Sequence, residues 1–491
     1  GAGVGKTRLL TVFGVLAEQQ GARVVWVRPD PWWAKAGYFG LREAIVQLAA
    51  LPANNIEPSS WAGAFPEARA GLAAVFSDPE TAQRERDSIR PWAQTPPEMP
   101  APSNHRLLVA EALRWAIEQA CATTNKGVVL IVDDLVHIDG ATRNALADLI
   151  SEPPFESVML LAGHGANCDP KWDGAETLLL GGLPAGVVDK LLDGVPAARA
   201  LMLNEDDVPP LYVEQLMRFA TEGGTSAPPR LADLIAARIQ LLAVDARRLL
   251  QAIAVVGDAA PAAQIVALVP DLGDMRRHLH TLRRCGWIEM DDDRASVAHP
   301  LVRAVTMATT PVAVRRQLHS RARHDCGLDT LQIPLEAHAL HACHAGEPFE
   351  ALVLLEQCAL RAGARDDDDG LLSALRKGRE IAREELRRGV LDEPIDAVVM
   401  FSCKLGDALA SAGMHAEATK ILEETIADLS PTDVLRPRVL ASMASMANAA
   451  GMTGEADSLL REALSLARQH EDAPMTHSLE RMNESWRDLS P

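Results

Sequence analysis

Gly1-Ala2-Gly3-Val4-Gly5-Lys6-Thr7 opens the chain and is the back end of the spacing G-x-x-x-x-G-K-[ST]. That spacing captures phosphates, because small residues let successive backbone N–H groups close around the anion. Lys6 reaches the β- and γ-phosphates, and the Thr7 hydroxyl suits Mg²⁺. The apolar-periodic stretch Leu9-Leu10-Thr11-Val12-Phe13 predicts a helix whose positive end points at the same anion. Gly1, Gly3, Val4, Gly5, Lys6, Thr7 and Arg8 are therefore the expected cradle for ATP or ADP. The first glycine of the pattern falls one residue ahead of Gly1, and the strand that leads into such a loop is not in the sequence, which reads as a fragment of a longer polypeptide. A sheet without that strand is expected to expose neighbouring backbone groups and to hold ATP poorly.

The acidic half of such a site lies about 125 residues downstream. Gly127-Val128-Val129-Leu130-Ile131-Val132 is a continuous apolar run, as a strand covered on both faces requires, and it ends in Asp133-Asp134. Acids at the carboxyl end of such a strand sit where open α/β sheets bind ligands. Asp133 is expected to hold Mg²⁺ through water or Thr7, and Asp134 to orient or deprotonate the attacking water. Alone, either signal reads as a glycine-rich turn or a solvated strand end; together they point to nucleotide chemistry.

The positioning elements follow. Ala22–Val27 and Ser157–Ala162 read as further buried strands, the second ending in Gly163-His164-Gly165, and Leu107–Ala122 as a helix. The alternation implies a parallel sheet with right-handed crossovers. Pro52–Pro102 carries nine prolines and reads as an irregular, mobile insertion with short helices such as Glu67–Phe76. From Arg230 to about Pro311 four helices (Leu231–Leu242, Asp245–Val256, Ala262–Leu268, Asp274–Cys285) lead into a strand pair, Gly286–Met290 and Ala295–Ala298, which spells a winged helix. Its turn, Asp291-Asp292-Asp293-Arg294, would repel phosphates, so a lid is expected rather than a DNA reader; Arg276, Arg277, Arg283 and Arg284 read as a solvated or interdomain face.

Beyond Pro311 the pattern is helical and repeats itself. Ala-Gly-x-x-x-Glu-Ala-x-x-[LI]-Leu begins at Ala345, Ala412 and Ala450, the glycines falling 67 and 38 residues apart, with the first interval close to two units. This resembles the tetratricopeptide repeat, with Leu405-Gly406-Asp407-Ala408-Leu409 as its L-G-x-x-Y portion. Such units bury their apolar faces only on neighbours, so three to five should stack and offer a surface for a protein or peptide partner; the competing reading is a plain helical bundle. Asp366–Asp369 reads as an acidic loop and nothing more.

Composition sets the outer limits. A length of 491 residues, 48% of them hydrophobic, suits roughly three domains. The seven cysteines, Cys168 and Cys326 among them, are scattered without a C-x-x-C pair, which argues for reduced thiols in a cytoplasmic setting. A formal net charge of −19 disfavours direct nucleic-acid contact, and no apolar run is long enough to span a bilayer.

Four segments together carry a family resemblance. Asp133–Thr142 looks like the D-D-L-H-W-A-D-P-A-T segment of STAND-class P-loop signalling ATPases, and Tyr38–Ala44 resembles their P-Y-x-P-L-R-E-A. Leu231–Ile239 is similar to their L-P-x-L-I-x-A-R-L helix, and Ala295–Arg303 to F-R-F-x-H-P-L-V-R, the end of their winged helix. The resemblance implies a P-loop ATPase domain over 1–200 with its insertion near 52–105, a helical lid and winged helix over 201–312, and tetratricopeptide-like helical repeats over 313–491. It implies ATP/ADP and Mg²⁺ as cofactors, Pro210 of Val208–Tyr212 at the nucleotide, and His299 as a diphosphate contact ranked below a capping role. It also implies nucleotide-dependent self-association and a place within a larger regulatory protein: a serine/threonine kinase, a cyclase, or a LuxR-type transcriptional regulator. The departures weaken hydrolysis: His164 stands where the family has a γ-phosphate-sensing arginine, and Val136-His137 replaces the usual His. Both histidines read as ordinary surface or packing residues. The expected function is a nucleotide-controlled switch and scaffold with at most slow ATPase activity; the alternative is a hydrolysis-deficient, nucleotide-bound adaptor.

Overall fold

A computed structural model describes residues 3–28, 37–52, 56, 58–76, 105–123, 127–154, 157–165, 172, 174–202, 206–257, 260–291, 293–324, 335–365, 367–389 and 391–489. Gly1, Cys168, Asp292, Cys326, Asp366 and residues 77–104 of the expected insertion lie outside them. The first unit runs α1 (Lys6–Gln19), β1 (Arg23–Val27), α2 (Phe39–Leu48), α3 (Pro66–Phe76), α4 (His105–Cys121), β2 (Val128–Val132), α5 (Gly140–Ser151) and β3 (Val158–Ala162). The strands form a parallel sheet in the order β1-β2-β3, with Arg23 opposite Val128 and Val128 opposite Val158. All five residues of β2 are buried. Val129 and Ile131 pack on Leu10 of α1, while Val128, Leu130 and Val132 join the large core under α2, α4 and α5. Two covered faces explain why β2 has no polar alternation.

The described part of the insertion belongs to this core. Ala68 and Leu72 of α3 are fully buried, and a Cβ on Gly71 would collide with the Leu108 backbone of α4. The short helix expected over Glu67–Phe76 is present as α3, and its apolar face ties this part of the insertion to the core. Among the described residues β3 has a strand on one edge only; Met159 is 46% exposed and Leu179 89%, and Leu9, Val12, Val15 and Leu16 form an open apolar stripe on α1.

The second unit comprises α6 (Ala185–Leu192), α7 (Pro196–Leu201), α8 (Pro210–Thr221), α9 (Leu231–Leu241), α10 (Val244–Val256), β4 (Ala260–Pro261), α11 (Ala262–Leu268), α12 (Met275–Arg284), β5 (Ile288–Asp291), β6 (Arg294–Val297) and α13 (Pro300–Thr309). The expected strand pair gains a third member, since β4 pairs antiparallel with β6 in the order β4-β6-β5. Arg238, fully buried, joins lid to wing: its guanidinium stacks 4.2 Å from the Trp287 ring and donates to Glu222, to Gln215 and to the Cys285 carbonyl. A buried arginine needs such complete pairing, so Arg238 ties α9 at once to α8 and to the turn that leads into β5.

The third unit is all helix: α14 (Val312–His324), α15 (Leu335–Ala345), α16 (Pro348–Gly363), α17 (Asp368–Arg388), α18 (Pro394–Ser411), α19 (His415–Ala427), α20 (Arg436–Ala449), α21 (Thr453–Gln469) and α22 (Ala473–Leu489). Gly346, Gly413 and Gly451 adopt φ of 78°, 77° and 78° at the three Ala-Gly turns, a left-handed conformation that glycine reaches without strain. Ala351, Ala418 and Ala456, the small residues after each glutamate, are fully buried, which lets the paired helices approach closely. The 67-residue interval holds α16, the long α17 and α18, three helices where two full units would place four. Ion pairs bind α17 to α19 through Arg376–Glu417, Arg379–Glu424 and Arg383–Asp428.

One further expectation changes. The Asp366–Asp369 run is more than an acidic loop: Asp367 is 1% exposed and caps α17, its Oδ1 accepting from Gly370 N at 3.0 Å. Burial, then the charge of Asp139, push the Asp367 carboxyl up to about 7.

His319 and His341, buried on α14 and α15, face each other with Nδ1 atoms 2.9 Å apart. One ring must donate and the other accept, so the two cannot both be charged. Burial lowers His319 to about 2 and His341 to about 4. In the unfolded chain both take up protons below about 6.5, so their contribution to stability is present above that pH and is lost as acid is added. Denaturant melts at pH 7 and pH 5 should show a loss of about 4 kcal/mol in the wild type that a His319→Phe/His341→Leu variant lacks.

Candidate nucleotide-binding site

Gly3 and Gly5 take φ of 77° and 97°, which shapes the loop that turns into α1 at Lys6. Thr7, on the first turn, donates from Oγ1 to Asp133 Oδ1 at 3.1 Å, across 126 residues of sequence. Asp133 directly follows β2, so the sheet itself delivers it. Burial raises the Asp133 pKa above the ordinary range, the charge of Asp134 adding to the rise; the Thr7 hydrogen bond, Arg28 and Lys6 oppose it. The expected convergence of Lys6, Thr7, Asp133 and Asp134 is therefore present.

Asp134 is held differently. Its backbone is left-handed at φ 55°, and its Oδ2 lies 2.9 Å from His137 Nδ1. His137 keeps the carboxyl below its usual range against the effect of burial, with Lys6 and His299 contributing, and the pairing raises His137 in turn. His137 thus lies on the surface, its side chain 42% exposed, beside the second acid of the strand end. His164 instead lies 3.0 Å from the carbonyl of Gly165. It is the preceding Gly163 that borders the acids: a Cβ there would lie 3.6 Å from Asp133 Oδ1. Arg8 is exposed on α1, Val4 is half-buried in the turn, and Arg28, which sequence spacing did not single out, is the arginine facing Asp133.

The second unit closes over the loop. Pro210 starts α8, its fixed φ suited to the first helical turn. The next residue, Leu211, donates its N–H to Gly3 O at 3.2 Å. A Cβ on Gly3 would come within 2.8 Å of Leu211 Cβ and 3.2 Å of Leu231, so only glycine lets the lid sit this close. His299 caps α13, its Nδ1 accepting from Leu301 N at 3.0 Å, which leaves the ring proton on Nε2. Burial lowers its pKa; Glu214, Asp133 and Asp134 pull the other way and Lys6 adds to the lowering, so a neutral ring stands within the field of the phosphate-loop lysine and both acids. A cavity of about 540 Å³ opens beside it, lined among others by Leu211, Glu214, Arg218, Met290 and His299.

The Thr7 hydroxyl and Asp133 carboxylate are hard oxygen donors of the kind Mg²⁺ takes, and a second charge at this point would offset the burial that raises Asp133. Among the described residues no group of three or more His, Cys, Asp and Glu side chains is arranged to hold a metal.

No protein-family model matches the chain, and comparison with curated proteins gives no match. Among solved structures, it is similar to a Signal Transduction ATPase with Numerous Domains (STAND) protein with a tetratricopeptide repeat sensor from Pyrococcus horikoshii, at 14% identity over 94% of this chain and 70% of that one, with a TM-score of 0.41. It is also similar to the Walker-type ATPase of Pyrococcus abyssi, at 12% identity over 60% of this chain and 93% of that one, with a TM-score of 0.18. Likeness at these scores carries no weight for function, which rests on the site's own geometry.

Gly3→Ala is expected to push α8 off the loop. Hydrogen exchange at the Leu211 amide should speed at least tenfold, because the methyl needs space that Leu211 occupies; unchanged protection would show that the lid does not bear on the loop.

Proposed function

We propose that the protein is a nucleotide-dependent signalling switch of the STAND type, binding ATP or ADP with Mg²⁺ between the phosphate loop and the winged-helix lid. The observation that carries this reading is the Thr7–Asp133 contact at the carboxyl edge of the sheet, with Lys6 and His299 facing the same acids. Lys6 and the loop amides would bind phosphates, Thr7 and Asp133 would hold Mg²⁺, and His299, neutral with its proton on Nε2, would donate to a phosphate oxygen from the lid side. Mg²⁺ supplies charge neutralisation on the phosphates when bound. A ligand touching both the loop and His299 can bias the lid only through different affinities for its open and closed states. The stacked repeats would carry the surface for a protein or peptide partner, and nucleotide-dependent self-association belongs to the same proposal.

Hydrolysis is expected to be slow. A base must accept a proton, and His137 holds Asp134 as a carboxylate of lowered basicity. That contact favours, as a second reading, an adaptor that keeps its nucleotide and acts only by protein–protein contact.

Lys6→Ala removes a charged contact to phosphate and should weaken nucleotide binding by about 10- to 100-fold, from the 1.5–3 kcal/mol of a charge-assisted hydrogen bond. Titration with a fluorescent ATP analogue in Mg²⁺ measures this; equal affinity in the variant would remove the nucleotide reading. Single-turnover hydrolysis then separates switch from adaptor. In a switch, Asp134→Asn lowers the wild-type rate; in an adaptor, wild type and variant share one negligible rate.

A further inference from the structure

The turn that enters α17 is seated against the nucleotide domain. Asp369 pairs with Arg143 at 2.6 Å, the Tyr38 hydroxyl donates to the Arg365 carbonyl at 3.2 Å, and Arg365 Nη1 donates to the Gly37 carbonyl at 3.4 Å. The receiving surface is continuous with the acidic strand end. Asp139, five residues past Asp134, caps α5 and accepts from Thr142 N at 2.7 Å, Thr142 Oγ1 at 2.8 Å and Tyr38 N at 2.9 Å. Tyr38 is buried and left-handed at φ 62°, a conformation that costs a bulky residue energy and persists only when surroundings enforce it.

Two carboxylates, Asp139 and Asp367, are thus buried in one seam. Asp367 Oδ1 is used by the cap, while Oδ2 is buried with no hydrogen-bond partner. The seam closes this tightly because two glycines face it: a Cβ on Gly37 would stand 3.1 Å from Asp367 Oδ2, and one on Gly140 would overlap Asp369 at 2.4 Å. Among the described residues, the charged groups at this seam are Asp139 and Arg143 from the nucleotide domain, Arg361 and Arg365 from the end of α16 and its following turn, Asp369 on α17, and Glu336 on α15, which lies 3.9 Å from Arg361. Asp139, Asp369 and Glu336 all disfavour a charge on Asp367.

We infer that this seam is a proton-sensitive clasp, in which a proton on Asp367 strengthens the docking of the helical repeats on the nucleotide domain. The inference goes beyond the nucleotide reading and does not depend on it. Closed, the carboxyl sits in a dry site beside other acids; open, it is in water and ionises as an ordinary aspartate. The closed state therefore binds one more proton than the open state from about pH 4 to about 7. Across that window docking weakens as pH rises, and it levels off above 7, where both states are ionised. The contact lies behind the strand end that carries Asp133 and Asp134, so release would free Tyr38 and the α5 cap next to the nucleotide site.

The test is amide exchange of residues 37–42 in the full chain without nucleotide, with each rate divided by its intrinsic value at the same pH. Wild-type protection should fall about tenfold per unit between pH 5 and 7 and level off by pH 8, as one-proton linkage requires. Asp367→Asn, which imitates the protonated carboxyl, should stay protected with no slope. Gly140→Ala should lose protection at every pH by wedging the seam open, while circular dichroism verifies that both domains remain folded. If Asp367→Asn fails to fold, Glu336→Gln replaces it: with one facing acid gone, the levelling-off should move to lower pH. A flat wild-type profile, an unshifted Glu336→Gln profile, an Asp367→Asn protein with the wild-type slope, or full protection in Gly140→Ala would each overturn the clasp.

Discussion

A hydroxyl and a carboxylate 126 residues apart meet at 3.1 Å, and the chemistry of the first two units depends on that meeting. What makes it obligatory is the burial of β2. A five-residue strand covered on both faces cannot slide or tilt without exposing Val128–Val132, so the residue after it is delivered to one place at the sheet's edge. Helix α1 packs its Leu10 on the alternate residues of the same strand, Val129 and Ile131. One strand therefore sets the relative position of Thr7 and Asp133 by packing alone, before any ligand contributes.

The lid follows the same logic at closer range. Gly3 accepts from Leu211 and leaves it room; His299 reaches the electrostatic field of Lys6 and the two acids from the opposite side; Arg238 binds the lid helix α8 to the wing by way of Glu222, Gln215 and Trp287. The loop and the wing are thus joined through α8.

Both seams of the repeats are built from buried ionisable groups. His319 and His341 stand in the packing of α14 on α15, and Asp139 and Asp367 in the packing of α17 on α5. Apolar residues would bind these surfaces more firmly; polar ones make the join conditional, because a buried group that gains or loses charge changes the free energy of the whole contact. The two seams respond to acid in opposite directions, histidines losing stability and the aspartate gaining it.

Much of this was legible in the residues. The loop, the apolar strand and its twin aspartates, the helices before the wing and the Ala-Gly turns of the repeats all announce themselves because local rules decide them: period, glycine at left-handed turns, and the need to cover both faces of a strand. The contacts of Asp367, His137, Arg238 and Arg28 could not be read that way. Asp367 sits in a run of four acids that looks like a plain loop, His137 gives no sign of its pairing with Asp134, and Arg238 carries no sign that it is buried. The helix α3 was legible as a helix, but its packing on α4 was not. Each of these is settled by which surfaces come together across domains or across long stretches of chain. Burial and charge neighbours are properties of that arrangement and leave no period in the sequence. The amino-acid order determined the elements and the spacing of the loop and its acids; only the tertiary structure decided which charges would be dry, and so which of them could respond.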